Sequence, residues 1–116
     1  MTSLEAPGRE IEAHAVGRLV RERGAEVIDV REPREREAGR IAGSRHIEMH
    51  RLAEEAGSLD RDRPVIFYCR VGARSGLAAQ AFAAAGWEAY NLRGGLLAWV
   101  DAGEPLEPAD GHVAEH

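Results

Sequence analysis

Short β-branched runs alternate along the chain with segments whose apolar residues recur every three or four positions. Residues 10–13 predict a brief edge strand. Across 15–23, Val16, Leu19 and Val20 fall on one side of a helix that stops at Gly24. VIDV at 27–30 and RHI at 45–47 predict strands flanking a charged stretch. Met49, Leu52, Ala53 and Ala56 then share one face of a helix ended by Gly57. VIFYC at 65–69 is the most apolar run and predicts a central parallel strand covered on both faces. Leu77, Ala78, Ala81, Phe82 and Ala85 mark a helix that begins near Ser75 and ends at Gly86, and AYNL at 89–92 supplies another strand. Leu96, Leu97, Ala98, Trp99 and Val100 form a last helix after Gly94-Gly95, stopped at Gly103 before Pro105.

Strands that alternate with helices imply an α/β fold, with right-handed crossovers building a parallel sheet between helical layers. At 116 residues the chain suits one domain with a single core. Residues 1–8 read as a loose lead-in, 9–106 as the domain, and 107–116 as a polar tail expected to stand apart from the core. A net charge of −5 argues against a nucleic-acid partner, since neutralising phosphates needs a basic excess. Neither a signal peptide nor a membrane-spanning run is visible, so a soluble cytoplasmic protein with no membrane partner is the expectation. The single cysteine, Cys69, cannot close an internal disulfide or a CxxC metal pair. It is either a small buried hydrophobe or a reactive thiol.

Position favours the thiol. In an open parallel sheet, ligands gather beyond the carboxyl ends of the strands, where the following helices present their N-termini. Cys69 ends the central run, and Arg70, Val71, Gly72, Ala73 and Arg74 leave too few residues to wander before a helix near Ser75. Such a loop curls over the cysteine, and its N–H groups converge into an anion-binding nest, with Gly72 free to take backbone angles other residues avoid. Donors and arginines around a thiol lower its pKa and raise the nucleophilic thiolate fraction.

At these residues the chain resembles the rhodanese family of sulfurtransferases, in particular its single-domain members. CRVGARS resembles the family's active-site loop. DVREPREREAGRIAGSRHI, residues 29–47, resembles its upstream signature, and NLRGGLLAWVDAGEP, residues 91–105, its closing one. The three motifs stand in the family's order over roughly residues 9–106. The resemblance implies a rhodanese-like α/β fold, a central mostly parallel sheet of about five strands with helices on both faces. It implies a cycle in which Cys69 takes a sulfane sulfur from thiosulfate or a similar small anionic donor, holds it as a persulfide, and yields it to cyanide or a thiol. The amides of residues 70–75 would stabilise the terminal sulfur; Arg70 and Arg74 would attract the donor. No metal or organic cofactor is required. Val71 stands where thiosulfate-favouring double-domain members carry lysine, leaving the donor's identity open. In the upstream element Arg40 replaces a histidine and Ser44 an alanine, while Gly39 and Gly43 are retained.

Other readings stand beside this one. A related phosphatase signature places five residues between cysteine and arginine, whereas four separate Cys69 from Arg74, a loop better matched to one sulfur than to a phosphoryl or arsenate group. A carrier module that takes a persulfide from one protein and passes it to another would use the same loop, so a protein donor or acceptor stays open. Arg31 could help bind the donor or, with Asp29, brace the loop. The five arginines against three glutamates in 31–45 suggest either an anion-steering rim or a solvated surface. His46 and His50 lack a third ligand and read as incidental. Gly94-Gly95 is no dinucleotide fingerprint and would let the last helix start close against the sheet. The aromatics read as core or boundary residues.

Overall fold

A computed structural model describes residues 9–115; the lead-in expected over 1–8 and the last residue of the tail lie outside the described residues. Five strands, β1 (Arg9–Ile11), β2 (Glu26–Asp29), β3 (Arg45–His46), β4 (Val65–Tyr68) and β5 (Ala89–Leu92), form one sheet in the order β1-β5-β4-β2-β3. Every pairing among them is parallel. Their carboxyl ends therefore share one edge of the sheet, which brings Asp29, Cys69 and Arg93 to the same side.

Among the described residues the α-helices are α1 (Ala13–Arg23), α2 (Pro33–Ala38), α3 (Leu52–Glu55), α4 (Ala73–Ala84) and α5 (Gly95–Asp101). β4 lies at the centre, and alternate residues of it serve the two faces, as a period of two requires. Val65, Phe67 and Cys69 join Ala78, Ala79, Phe82 and Trp87 in one buried cluster. Ile66 and Tyr68 join Val16, Leu96 and Trp99 in the other. Burying such side chains contributes about 1.5–3 kcal/mol for each large one, and this sandwich holds β4 rigidly beneath the loop that follows.

The buried face of α4 is Ser75, Ala78, Ala79 and Phe82, one full i, i+3, i+4, i+7 stripe. Leu77, expected on that stripe, is 63% exposed. In an alanine-rich helix the stripe can be drawn in more than one phase, and small side chains on the inner face let α4 approach the sheet closely. α2 was not anticipated. It has six residues and no apolar stripe, and is closed at its start by a capping box between Glu32 and Glu35 with Pro33 in the first turn.

The tail also departs from expectation. Arg40 and Glu107 exchange backbone hydrogen bonds of 3.0 and 2.8 Å, and the His112 N–H donates to the Ala38 carbonyl at 2.8 Å. Leu106 and Val113 pack against the second cluster, so the segment is a strap across the end of α2. Its polar composition concealed this, because the attachment runs largely through backbone groups.

Candidate active site

Cys69 leaves β4 into a loop of three residues, and α4 begins at Ala73, two positions earlier than the pattern suggested. Ser75 therefore lies in the first turn of α4. The sulfur accepts the N–H of Gly72 at 3.1 Å and that of Ser75 at 3.5 Å, with the Ser75 hydroxyl 3.3 Å away. Of the amides in 70–75, these two reach the thiol. Gly72 makes the turn at φ 99°, a left-handed angle that disfavours side chains. Cys69 itself is wholly buried. Burial pushes its thiol up, but the Ser75 hydroxyl, the Ser75 and Gly72 amides and the Arg74 charge together outweigh it, holding the thiol below its ordinary value.

The loop is pinned from above by α5. The Leu96 N–H donates to the Cys69 carbonyl at 2.8 Å, and the Leu97 N–H to that of Arg70 at 3.1 Å. Gly95 sits at φ 66°, and a Cβ there would lie 2.5 Å from the Arg70 oxygen. Gly95 thus serves close docking on the cysteine loop rather than on the sheet in general.

Around this centre lies a buried charge network. Arg74 presents Nη1 and Nη2 to the two carboxylate oxygens of Glu35, each at 3.0 Å, and the Glu35 side chain is fully buried. Arg31, open from sequence to donor binding or to bracing with Asp29, is fully buried as well. Its Nε and backbone N–H donate to Asp29 Oδ1, and its Nη2 to Asp29 Oδ2 and to the Gly39 carbonyl. The equally buried Asp29 carboxylate requires a cation, and it folds the guanidinium back into the protein, a bracing arrangement in place of donor contact. Tyr68 adds its hydroxyl, which donates to Asp29 Oδ2 and accepts from the Ile41 N–H, both at 3.1 Å. Burial, with the Asp29 charge beside it, pushes that hydroxyl up to about 12.

The arginines of 31–45 are occupied internally. Arg36 bonds Asp29 and Ser44, Arg34 reaches the Glu115 carbonyl, Arg40 faces Glu107, and Arg45 contacts Ser58 and lies near Glu55. Of the two readings of this stretch, these contacts favour a paired, partly solvated surface over a free anion-steering rim. Arg70 is half-buried, with an Nε that finds no partner; Val71 and Ala73 face solvent. His46 turns its Nε2 to the Arg31 carbonyl at 2.7 Å, and among the described residues no cluster of three metal-binding side chains occurs.

Three site residues escaped the sequence reading. Glu35 was concealed in the charged run, although Glu32 and Pro33 upstream were its signal. Tyr68 reads from the sequence as a core or boundary aromatic. Asn91, on β5, was read only as part of a strand; its Oδ1 lies 2.6 Å from the Ser75 hydroxyl.

A parallel sheet whose central strand leads into a cysteine met by two loop amides, clamped by a glycine-led helix, defines a class. The chain matches the rhodanese-like domain over residues 12–102 and belongs to that family. Among curated relatives it is 45% identical over 78 residues to YqhL of Bacillus subtilis, covering 66% of this chain and 62% of YqhL, less than two thirds of that protein's length. It is 40% identical over 94 residues to the thiosulfate sulfurtransferase GlpE of Pseudomonas aeruginosa, covering 80% of this chain and 82% of GlpE. Among solved structures, a rhodanese-related protein from Thermoplasma volcanium superposes with a TM-score of 0.78 at 32% identity, over 84% of this chain and 96% of that one.

Proposed function

We propose that this protein is a sulfurtransferase that carries a sulfane sulfur as a persulfide on Cys69. The observation that supports it most directly is the convergence of the Gly72 and Ser75 amides on one thiol held below its ordinary pKa. The Cys69 thiolate attacks the outer sulfur of thiosulfate or a like donor; the S–S bond of the donor breaks and sulfite leaves with its electron pair. Cyanide or an acceptor thiolate then attacks the outer sulfur of the persulfide, and the Cys69 thiolate departs, restoring the starting state. Arg74 contributes positive charge near the sulfur while remaining tethered to Glu35. Arg70, half-buried in the loop with a buried Nε that lacks a partner, would meet an anionic donor. Val71 and Ala73 would border the entry. A reducing, cytoplasmic setting belongs to this proposal, since a single free thiol persists there.

The complete cover over Cys69 favours a second reading, a carrier loaded by a partner protein that displaces the loop. Val71, 49% exposed on the loop's outer surface, offers such a partner an apolar contact. Mass spectrometry of native and Cys69→Ser protein after thiosulfate treatment, paired with thiocyanate formation from cyanide, tests both. Transfer predicts a gain of one sulfur on the native protein only, removed by cyanide, with steady turnover. A carrier predicts very slow turnover of small donors, and identical behaviour of the two proteins overturns the role of Cys69.

A further inference from the structure

Behind the cysteine, a chain of hydrogen bonds runs from the sulfur to the edge of the sheet. Asn91 is 5% exposed, and its Nδ2 donates to both carboxylate oxygens of Glu10, at 3.2 and 3.1 Å, and to the Gly72 carbonyl at 3.2 Å. All of these partners are acceptors, so the amide has one satisfactory orientation, with Oδ1 facing Ser75. The Ser75 oxygen lies 2.6 Å from that Oδ1 and 3.3 Å from the sulfur. A hydroxyl has one proton, and it cannot serve both. The shorter contact, to an amide polarised by a carboxylate at its far end, takes it.

We infer that Asn91 and Glu10 are positioning residues that set the thiol–thiolate balance of Cys69 by competing with the sulfur for the Ser75 proton. When the sulfur is a thiol, every group is satisfied: S–H donates to the Ser75 oxygen, and the Ser75 hydroxyl donates to Asn91. On ionisation the proton leaves the sulfur for solvent. The thiolate then keeps the Gly72 and Ser75 amides, and gains the Ser75 hydroxyl only if that hydroxyl abandons Asn91. The relay therefore restrains a nucleophile that the loop otherwise activates. The charged groups around the thiol are Arg74 on α4, backed by Glu35 on α2, Arg70 in the loop, and Glu10 on β1 behind Asn91. Tyr68 on β4 turns to the opposite cluster, and α5 meets the loop through backbone N–H groups.

The inference deepens the sulfur-transfer reading, yet its test needs no sulfur donor, so the two can fail separately. Thiolate absorbance in the ultraviolet is followed against pH, with Cys69→Ser protein as the blank. Asn91→Leu is expected to move the midpoint to lower pH, raising the thiolate-to-thiol ratio at a fixed pH about five- to tenfold, the worth of one ordinary hydrogen bond. Glu10→Gln, on an exposed edge residue that leaves the core undisturbed, is expected to move it the same way by less. Ser75→Ala, which removes the proton for which the two groups compete, is expected to abolish the effect of both other substitutions. An unchanged or raised midpoint in the Glu10→Gln and Asn91→Leu proteins overturns the inference. So does a shift that persists in the Ser75→Ala background, which would mark simple charge removal.

Discussion

Replacing Glu35 by glutamine keeps the side chain's size and removes its charge from a site with no solvent exposure. Three contacts change: two from Arg74 at 3.0 Å and one from the Glu32 N–H at 3.1 Å. Glutamine can still accept through its carbonyl, but its NH₂ group then faces a guanidinium N–H. Breaking a buried pair costs about 3–5 kcal/mol. The Arg74 side chain is 23% exposed, so water recovers part of its solvation, and roughly 2–4 kcal/mol is expected. For a domain near this size that lowers Tm by on the order of 10–20 °C. The pH dependence follows from sign. Burial pushes the Glu35 carboxyl up, but its bonds to Arg74 and to the Glu32 amide outweigh this and hold it below the ordinary carboxylate value. Its contribution is therefore fully present above the unfolded-state value and is lost as pH falls through the folded one. Urea unfolding of native and Glu35→Gln protein, followed by circular dichroism from neutral to acid pH, should show a gap that is constant near neutrality and closes in acid. A gap under about 0.5 kcal/mol at neutral pH, the noise of an ordinary surface change, would refute the reasoning. A gap that widens in acid would refute it equally.

Gly95→Ala forces a side chain into left-handed backbone, costing about 1–2 kcal/mol before the overlap with the Arg70 carbonyl is counted. Equilibrium unfolding should show at least that loss, and alkylation of Cys69 should accelerate as the loop lifts; slower or unchanged alkylation would count against the clamp. Tyr68→Phe leaves the buried Ile41 N–H without its acceptor, for a loss of about 1–3 kcal/mol by the same unfolding assay. Hydrogen exchange at Ile41 should speed up as well, and protection equal to wild type would argue that the tyrosine hydroxyl carries no weight.

The strands were legible because β-branched residues concentrate in VIDV and VIFY, and the cysteine loop because a lone sulfur follows directly on the most apolar run. Helix α2 was not legible by periodicity, since PREREA buries a carboxylate rather than an apolar stripe. The role of Glu35 was obscured for the same reason: charge in a sequence reads as surface, and only the fold shows that Arg74 stands ready to pair with it, whereas the Asp29–Arg31 brace was already one of the two readings their spacing allowed. Ser75 was placed in the site from its position in the loop. Asn91, sixteen residues further on, reaches it only because β5 lies beside β4.

The docking of Gly95 on the Arg70 carbonyl ties the size of the anion cradle to a segment more than twenty residues downstream. Lengthening the loop by one residue, to fit a larger tetrahedral group, would displace that carbonyl and unseat the final helix. A change of chemistry on this scaffold thus demands paired alterations in both segments, and single insertions are a poor evolutionary route between them.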